Sequence, residues 1–175
     1  MRLPAEVVEL PGNPVAHLRA FTPDDWPLER ALSLVDDVPR WTYYTAGMSE
    51  EEARTRATRS TDSRAEGRAA RYVVVVEGEP AGTAGISALH TTRPEIFYAL
   101  LPGARGRGLA TRAAGALTAW ALAAGYGSVA LYTRPGNSAS ESVAARAGFV
   151  LDGEERGPGG ELLRAWVRRA TLSPR

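Results

Sequence analysis

The chain contains no cysteine, which excludes a disulfide framework, thiolate zinc sites, iron–sulfur clusters and a cysteine nucleophile. Lysine is missing too, so a phosphate loop ending in Gly-Lys-Ser/Thr is excluded. Charge of one sign is lacking: 21 basic residues, all arginine, stand against 20 acidic ones for a net charge of +1. No broad field therefore recruits nucleic acid or anionic lipid. Apolar runs fall far short of the roughly 20 residues a membrane helix needs, and the N-terminus lacks a secretory-signal layout. The two histidines, His17 and His90, stand far apart with no carboxylate spacing suited to a metal, so no metal site is expected. These absences point to a cytoplasmic, soluble protein with neither a nucleic-acid nor a membrane partner. What is present is ordinary for a globular protein: 175 residues, 44% apolar and 23% charged, expected as one domain over 1–175. Abundant Ala, Gly and Pro, with arginine in place of lysine, reflects a high-GC coding bias and carries no functional message.

No repeat and no long linker divides the chain. Residues 7–8 and 15–20 read as extended pieces around the Pro11-Gly12-Asn13-Pro14 turn. Thr22-Pro23-Asp24-Asp25 opens a helix, with Thr22 as cap and Pro23 in the first position. Ser49 and Glu52 form a capping box for a second helix that runs to about residue 65. Strands follow at 72–76, 81–89 and 95–101, with Gly78-Glu79-Pro80 as the first turn between them. From Gly108 to about residue 124 the period changes. Leu109, Ala113, Ala116, Leu117, Trp120, Ala121 and Ala124 recur at three- and four-residue intervals and so line one helix face. A strand at 129–132, a helix at 138–147 and closing strands at 149–151 and 162–170 complete the order. Strand, helix, strand in the second half requires a crossover, hence a mixed, partly parallel α/β (α+β) architecture.

The most informative stretch joins the strand ending at Leu101 to the helix starting at Leu109. Glycines there let the backbone approach a ligand. The N–H groups of the first helical turn have no intrahelical partner, and the helix dipole adds positive potential. With Arg105 and Arg107 they form a cradle for a phosphate or diphosphate. A dinucleotide fingerprint fails, because Thr111 stands where a third small residue belongs and the strand at 129–132 carries no acid.

Arg105-Gly106-Arg107-Gly108-Leu109-Ala110 resembles the Gln/Arg-x-x-Gly-x-Gly/Ala acyl-CoA motif of the GCN5-related N-acetyltransferases (GNAT). Residues 95–102 are similar to that family's fourth strand. Asn137 and Ser140, followed by Gly148-Phe149, resemble the Asn-x-x-Ser…Gly-Phe signature of its ribosomal-protein-type branch. Leu18-Arg19-Ala20 and Thr22-Pro23-Asp24-Asp25 are similar to that branch's opening, and the likeness runs in order from about residue 15 to 170. The resemblance implies a twisted mixed sheet of about seven strands flanked by about four helices, splayed between the family's fourth and fifth strands.

It also implies an acetyltransferase of an amine, with acetyl-CoA as its cofactor. Pantetheine would lie along Tyr98, Ala99, Leu100 and Leu101, and the diphosphate on the N–H groups of Arg105, Gly106, Arg107, Gly108, Leu109 and Ala110, with Thr111 next in line. Asn137 would contact the cofactor beside the thioester, and Ser140 matches the serine after it. A neutral amine must attack the thioester carbonyl while the leaving thiolate is stabilised. At pH 7 a peptide α-amine is about 10% neutral and a lysine amine below about 0.1%, so a weak base suffices for an N-terminal substrate.

Glu95 is the first candidate base, the alternative being a solvated carboxylate at a strand end. The family's usual acid, a tyrosine, falls at Ala144; Ser140 is the hydroxyl offered instead, with Tyr98 and Tyr132 as further donors. Arg112 replaces a usual glutamate and is expected to add charge near the phosphate end. Trp41, Tyr43 and Tyr44 are the candidate acceptor wall. A primary amine of a protein N-terminus leads as acceptor, ahead of aminoglycosides, polyamines or metabolites. A non-catalytic acyl-CoA-binding regulatory module is the alternative from another class, kept open by Ala144. A monomer and a homodimer are both compatible.

Overall fold

The computed structural model describes residues 3–171; the termini within the expected 1–175 span lie outside the described residues. The chain runs β1 (Val7–Leu10), β2 (Ala16–Ala20), α1 (Trp26–Ser33), α2 (Asp37–Trp41), α3 (Glu50–Ala65), β3 (Ala70–Val76), β4 (Glu79–Ser87) and β5 (Glu95–Leu100). It continues through α4 (Leu109–Ala123), β6 (Ser128–Thr133), α5 (Ser138–Arg146), β7 (Val150–Arg156) and β8 (Leu162–Arg169). The strands form one 8-stranded sheet in the order β1-β2-β3-β4-β5-β6-β8-β7. Among the described residues only β5 and β6 pair parallel. The extended piece read at residues 7–8 is β1 at the N-terminal edge, one strand more than the roughly seven that the resemblance implied, so the family's fourth strand is the fifth here.

Helices cover both faces of the sheet. On one side α4 lays Leu109, Ala113 and Leu117 against Leu18, Tyr72, Val74, Ile86 and Ile96. On the other, Leu28 and Leu32 of α1 and Ala57 of α3 meet Val73, Val75 and Ala99. β3 is buried at every position, which explains its unbroken apolar run from Tyr72 onward. The capping box of α3 forms as expected: Ser49 Oγ accepts from the Glu52 amide at 3.2 Å, and Glu52 Oε2 accepts from the Ser49 amide at 2.7 Å.

Three details differ from expectation. The β3–β4 turn is Glu77-Gly78, both at positive φ (51° and 89°), one residue before the expected Gly78-Glu79-Pro80. Two positive φ values match the twist of a tight hairpin, and the proline is displaced into a β-irregularity in β4. The connection expected between the first two helices contains a short helix of its own, α2, which carries Trp41. Arg112 turns away from the phosphate end: its guanidinium donates to the carbonyls of Pro14, at 3.0 Å, and Leu10, tying α4 to the β1–β2 turn.

Two features position a site. β5 and β6 pair only at Glu95↔Ala130 and Ile96↔Leu131; from Phe97 onward they part. On β4, Gly85 stands between Arg71 of β3 and Phe97 of β5. An added Cβ there would come within 2.3 Å of the Phe97 ring, so only glycine lets that ring lie across the sheet. Among the described residues no helix is long and apolar enough to cross a membrane.

Candidate active site

Where β5 and β6 separate, a cleft of about 950 Å³ opens, bounded by α2, the α4 N-terminus, α5 and the β7–β8 turn. Glu95, Tyr98, Leu100, Arg105, Gly106, Gly108, Leu109, Ala110, Thr111, Asn137 and Ser140 all line it, as do Trp41, Tyr43 and Tyr44. Residues scattered from 41 to 140 in the chain are thus brought together in one cavity. Leu101 and Arg107 are not on its walls. The Leu101 amide donates to Ala81 O at 2.9 Å, and its side chain joins the core under α1.

At one end the backbone builds an anion cradle. Gly106 and Gly108 take φ of 75° and 71°, a left-handed geometry that costs other L-residues about 1–2 kcal/mol. Gly108 is the N-cap of α4, so the helix's unpaired amides face the cleft with no side chain above the glycines. The two arginines are already paired. Arg105 donates to Asp37 at 2.7 and 2.9 Å and to Leu100 O at 3.1 Å; Arg107 donates to Glu77 at 2.7 Å. The cradle's free donors are therefore backbone amides. That set fits a diphosphate, and the parted edge of β5 fits an extended amide-bearing chain leading from it.

Across the cleft, Asn137 caps α5 by accepting from the Ser140 amide at 3.2 Å, and it is 8% exposed. Tyr98 points to the same turn and donates to Ser140 O at 3.4 Å. Burial pushes the Tyr98 hydroxyl up to about 12. Ala144 is buried in the core behind the turn, so no hydroxyl stands in the family tyrosine's place.

At the opposite end Glu95 is half-buried, and burial lifts its carboxyl above the usual range; Arg93 opposes this and Glu155 adds to it. Arg93 holds both Tyr132, at 2.8 Å, and Glu155, at 2.9 Å, while Tyr132 donates to Glu155 at 3.0 Å. Burial and Glu155 push Tyr132 to about 12, so it stays a neutral donor.

The aromatic wall divides. Tyr43 is 60% exposed and is pushed to about 12 by burial of its hydroxyl and by Glu161 of the β7–β8 turn. Arg134 donates to the carbonyls of Arg40 and Thr42, fixing this segment over the cleft. Tyr44 is buried and serves a polar hub: it donates to Glu29 Oε1 at 3.0 Å and accepts from Arg71 at 2.6 Å. Glu29, Arg56, Arg71 and Glu155 were not foreseen from the sequence. Arg71 carries the one available signal, a charge at the start of an otherwise apolar strand.

The GNAT acetyltransferase domain profile matches residues 16–150. No curated protein matches the chain significantly. Among solved structures, the Salmonella typhimurium acetyltransferase that modifies the N-terminal serine of ribosomal protein L7/L12 is 21% identical, with a TM-score of 0.78 over 93% of this chain and 99% of that one. Mycobacterium smegmatis RimJ, in complex with a CoA disulfide, is 21% identical, with a TM-score of 0.77 over 98% and 88%. An aminoglycoside acetyltransferase bound to coenzyme A is 18% identical, with a TM-score of 0.75 over 88% and 94%. With its profile match, its eight-stranded sheet parted beside a glycine cradle and the same fold in these enzymes, the chain belongs to the GCN5-related N-acetyltransferase (GNAT) family.

Proposed function

We propose that this chain transfers an acetyl group from acetyl-CoA to the α-amine of a protein N-terminus. The observation that carries the reading is one cleft joining the backbone cradle at Gly106 and Gly108 to Glu95 at the far end of the parted strand. The amides of Gly106, Gly108, Leu109 and Ala110 would hold the diphosphate, and the backbone of Tyr98 and Leu100 the pantetheine amides. Acetyl-CoA, when bound, supplies a thioester carbonyl that an amine attacks and a sulfur that leaves with the bonding pair.

Glu95 accepts the proton that the amine loses, directly or through water. Its raised pKa brings it closer to the amine's and makes it a better base near neutrality than an ordinary carboxylate. Tyr98 is too weak an acid, at about 12, to protonate a thiolate of ordinary pKa of about 8.5. It acts by hydrogen-bond donation, lowering the energy of charge on the departing sulfur. Ser140 holds the turn that places Tyr98, and its hydroxyl is the second donor in reach. With a carboxylate and a neutral hydroxyl both in the cleft, Ala144 does not argue for a merely regulatory module.

The α-amine is favoured over lysine because it is a few hundredfold more often neutral at pH 7, which suits a carboxylate base. Support also comes from the relatives of like fold that modify ribosomal protein L7/L12 at its N-terminal serine. The test is thiol release from acetyl-CoA with a panel of N-terminal peptides, an aminoglycoside and a polyamine, with the acetylated position located by mass spectrometry. Acetylation at peptide N-termini is expected. Turnover confined to small amines, or no turnover at all, overturns the reading.

A further inference from the structure

Beneath the acceptor end of the cleft lies a second cavity of about 530 Å³, against α3. Arg56, Arg71 and Phe97 line both cavities, so the two adjoin there. The charge at that junction does not balance. Glu29 is fully buried and pairs with both guanidiniums, Arg56 Nε at 2.6 Å and Arg71 at 3.1 Å. Two permanent cations share one carboxylate, and arginine cannot relieve the excess by losing a proton.

The donors are not exhausted either. Arg71 is 8% exposed, and its Nε finds no acceptor. Its remaining bonds go to neutral oxygens of Tyr44, at 2.6 Å, Thr83, at 3.3 Å, and Ser60, at 3.4 Å. Arg56 spends Nε on Glu29 and stacks on the Tyr44 ring at 4.3 Å. Its two terminal nitrogens have no acceptor among the described residues. The cost of a buried, charged donor without a partner falls on Arg71 Nε; the Arg56 side chain is 31% exposed, so its terminal nitrogens are open to an acceptor that a ligand brings. The acids lining the second cavity, Glu51 and Glu52, stand in the first turn of α3, and Glu52 is committed to Ser49.

We infer that the Arg56–Arg71 junction binds a carboxylate carried by the amine acceptor, deepening the proposed function on which it rests. Sheet register supplies the span. Arg71, Gly85 and Phe97 form one row across β3, β4 and β5, and Glu95 lies two residues before Phe97 on the same face. Two strand spacings and two residue rises separate the Cα positions of Arg71 and Glu95 by about 12 Å. A carboxylate on the carbon beside the amine, as in a free α-amino acid, covers little of that span. An acidic side chain at the second or third residue of a peptide can cover it, because an extended chain advances about 3.4 Å per residue.

The experiment compares two N-terminal peptides differing only by Glu or Gln at the third residue, with 6-aminohexanoate and its amide as a small-molecule arm. At least a tenfold higher kcat/KM for the Glu peptide, carried by KM, is expected. A matching preference for 6-aminohexanoate over its amide would assign the site to small acids, and its absence to peptides; either result supports a carboxylate site. In Arg56→Gln the Glu/Gln ratio should collapse to near one, whatever the absolute rates, whereas Arg54→Gln on the outer face of the same helix should keep it. A wild-type ratio within twofold, or one that survives Arg56→Gln, overturns the inference while leaving acetyl transfer intact. Calorimetry of both peptides with the wild-type protein reads the preference without turnover, so a failure of the acetyltransferase reading is seen separately.

Discussion

Arg105 grips the carboxylate of Asp37 with both terminal nitrogens, at 2.7 and 2.9 Å, while its Nε holds Leu100 O at 3.1 Å. One side chain therefore joins the phosphate loop, the free edge of β5 and the helix that carries Trp41. The pairing keeps Asp37 below the usual carboxylate range. It also occupies the cation that the sequence motif offers to a diphosphate, so an incoming anion competes with Asp37 for it.

Asp37→Asn removes that competitor. An exposed ion pair is worth about 0.2–1 kcal/mol, so the KM for acetyl-CoA should fall by no more than about fivefold, with kcat unchanged. Steady-state kinetics at two ionic strengths check this, the difference shrinking at high salt. A rise in KM would show instead that Asp37 orients Arg105 for the ligand.

Gly108→Val places a side chain over the cradle. The ideal Cβ meets nothing within 4 Å, so it projects into open space where a diphosphate would lie. Acetyl-CoA affinity, read by calorimetry, should drop at least tenfold. The φ of 71° adds a strain of about 1–2 kcal/mol, so the melting temperature also falls by several degrees. Gly108→Ala carries the same strain with less bulk; if it weakens binding as much as valine does, backbone geometry is responsible and steric exclusion is not.

Glu95→Gln separates catalysis from folding by the sign of its pH dependence. Burial raises the Glu95 pKa in the folded state, so folding is favoured while the group is protonated and loses support as pH rises through the ordinary carboxylate range and beyond. The glutamine variant should therefore melt higher than wild type at pH 7 and about equally at pH 4. In activity the effect is opposite: kcat should fall, most at neutral pH, where few amines are already deprotonated. An unchanged pH–rate profile removes Glu95 from the role of base.

These tests fall on residues of unequal legibility. The cradle is local: glycines directly precede a 3.6-residue repeat, and strand, turn and helix are encoded within residues 95–123. Asn137 and the Ser49–Glu52 box are equally local. The partners of Arg105 and Arg107, 68 and 30 residues away, are not, because an exposed charge pair leaves no periodic trace. α2 escapes notice for a different reason. It has five residues with Pro39 inside, and packing of Val38 beneath α1 holds it despite poor propensity. The burial of Glu29 on α1 leaves no local trace either, because the partners that explain it, Tyr44, Arg56 of α3 and Arg71 of β3, lie 15, 27 and 42 residues along the chain.

Tyr98→Phe probes the leaving-group end. Among the described residues the hydroxyl's one hydrogen-bond partner is the Ser140 carbonyl, at 3.4 Å, a long bond whose loss costs little in the resting protein. A hydrogen bond to a charged sulfur is worth about 1.5–3 kcal/mol, so the variant should lose about 10- to 150-fold in kcat with the acetyl-CoA KM nearly constant. Ser140→Ala leaves the carbonyl in place and should cost less than about threefold. Because Tyr98 also packs on the α4 face of the core, a purely structural role would lower the melting temperature and leave kcat within twofold. Reversal of the two effects, with Ser140→Ala the more damaging, would move the donor to the serine hydroxyl in the first turn of α5.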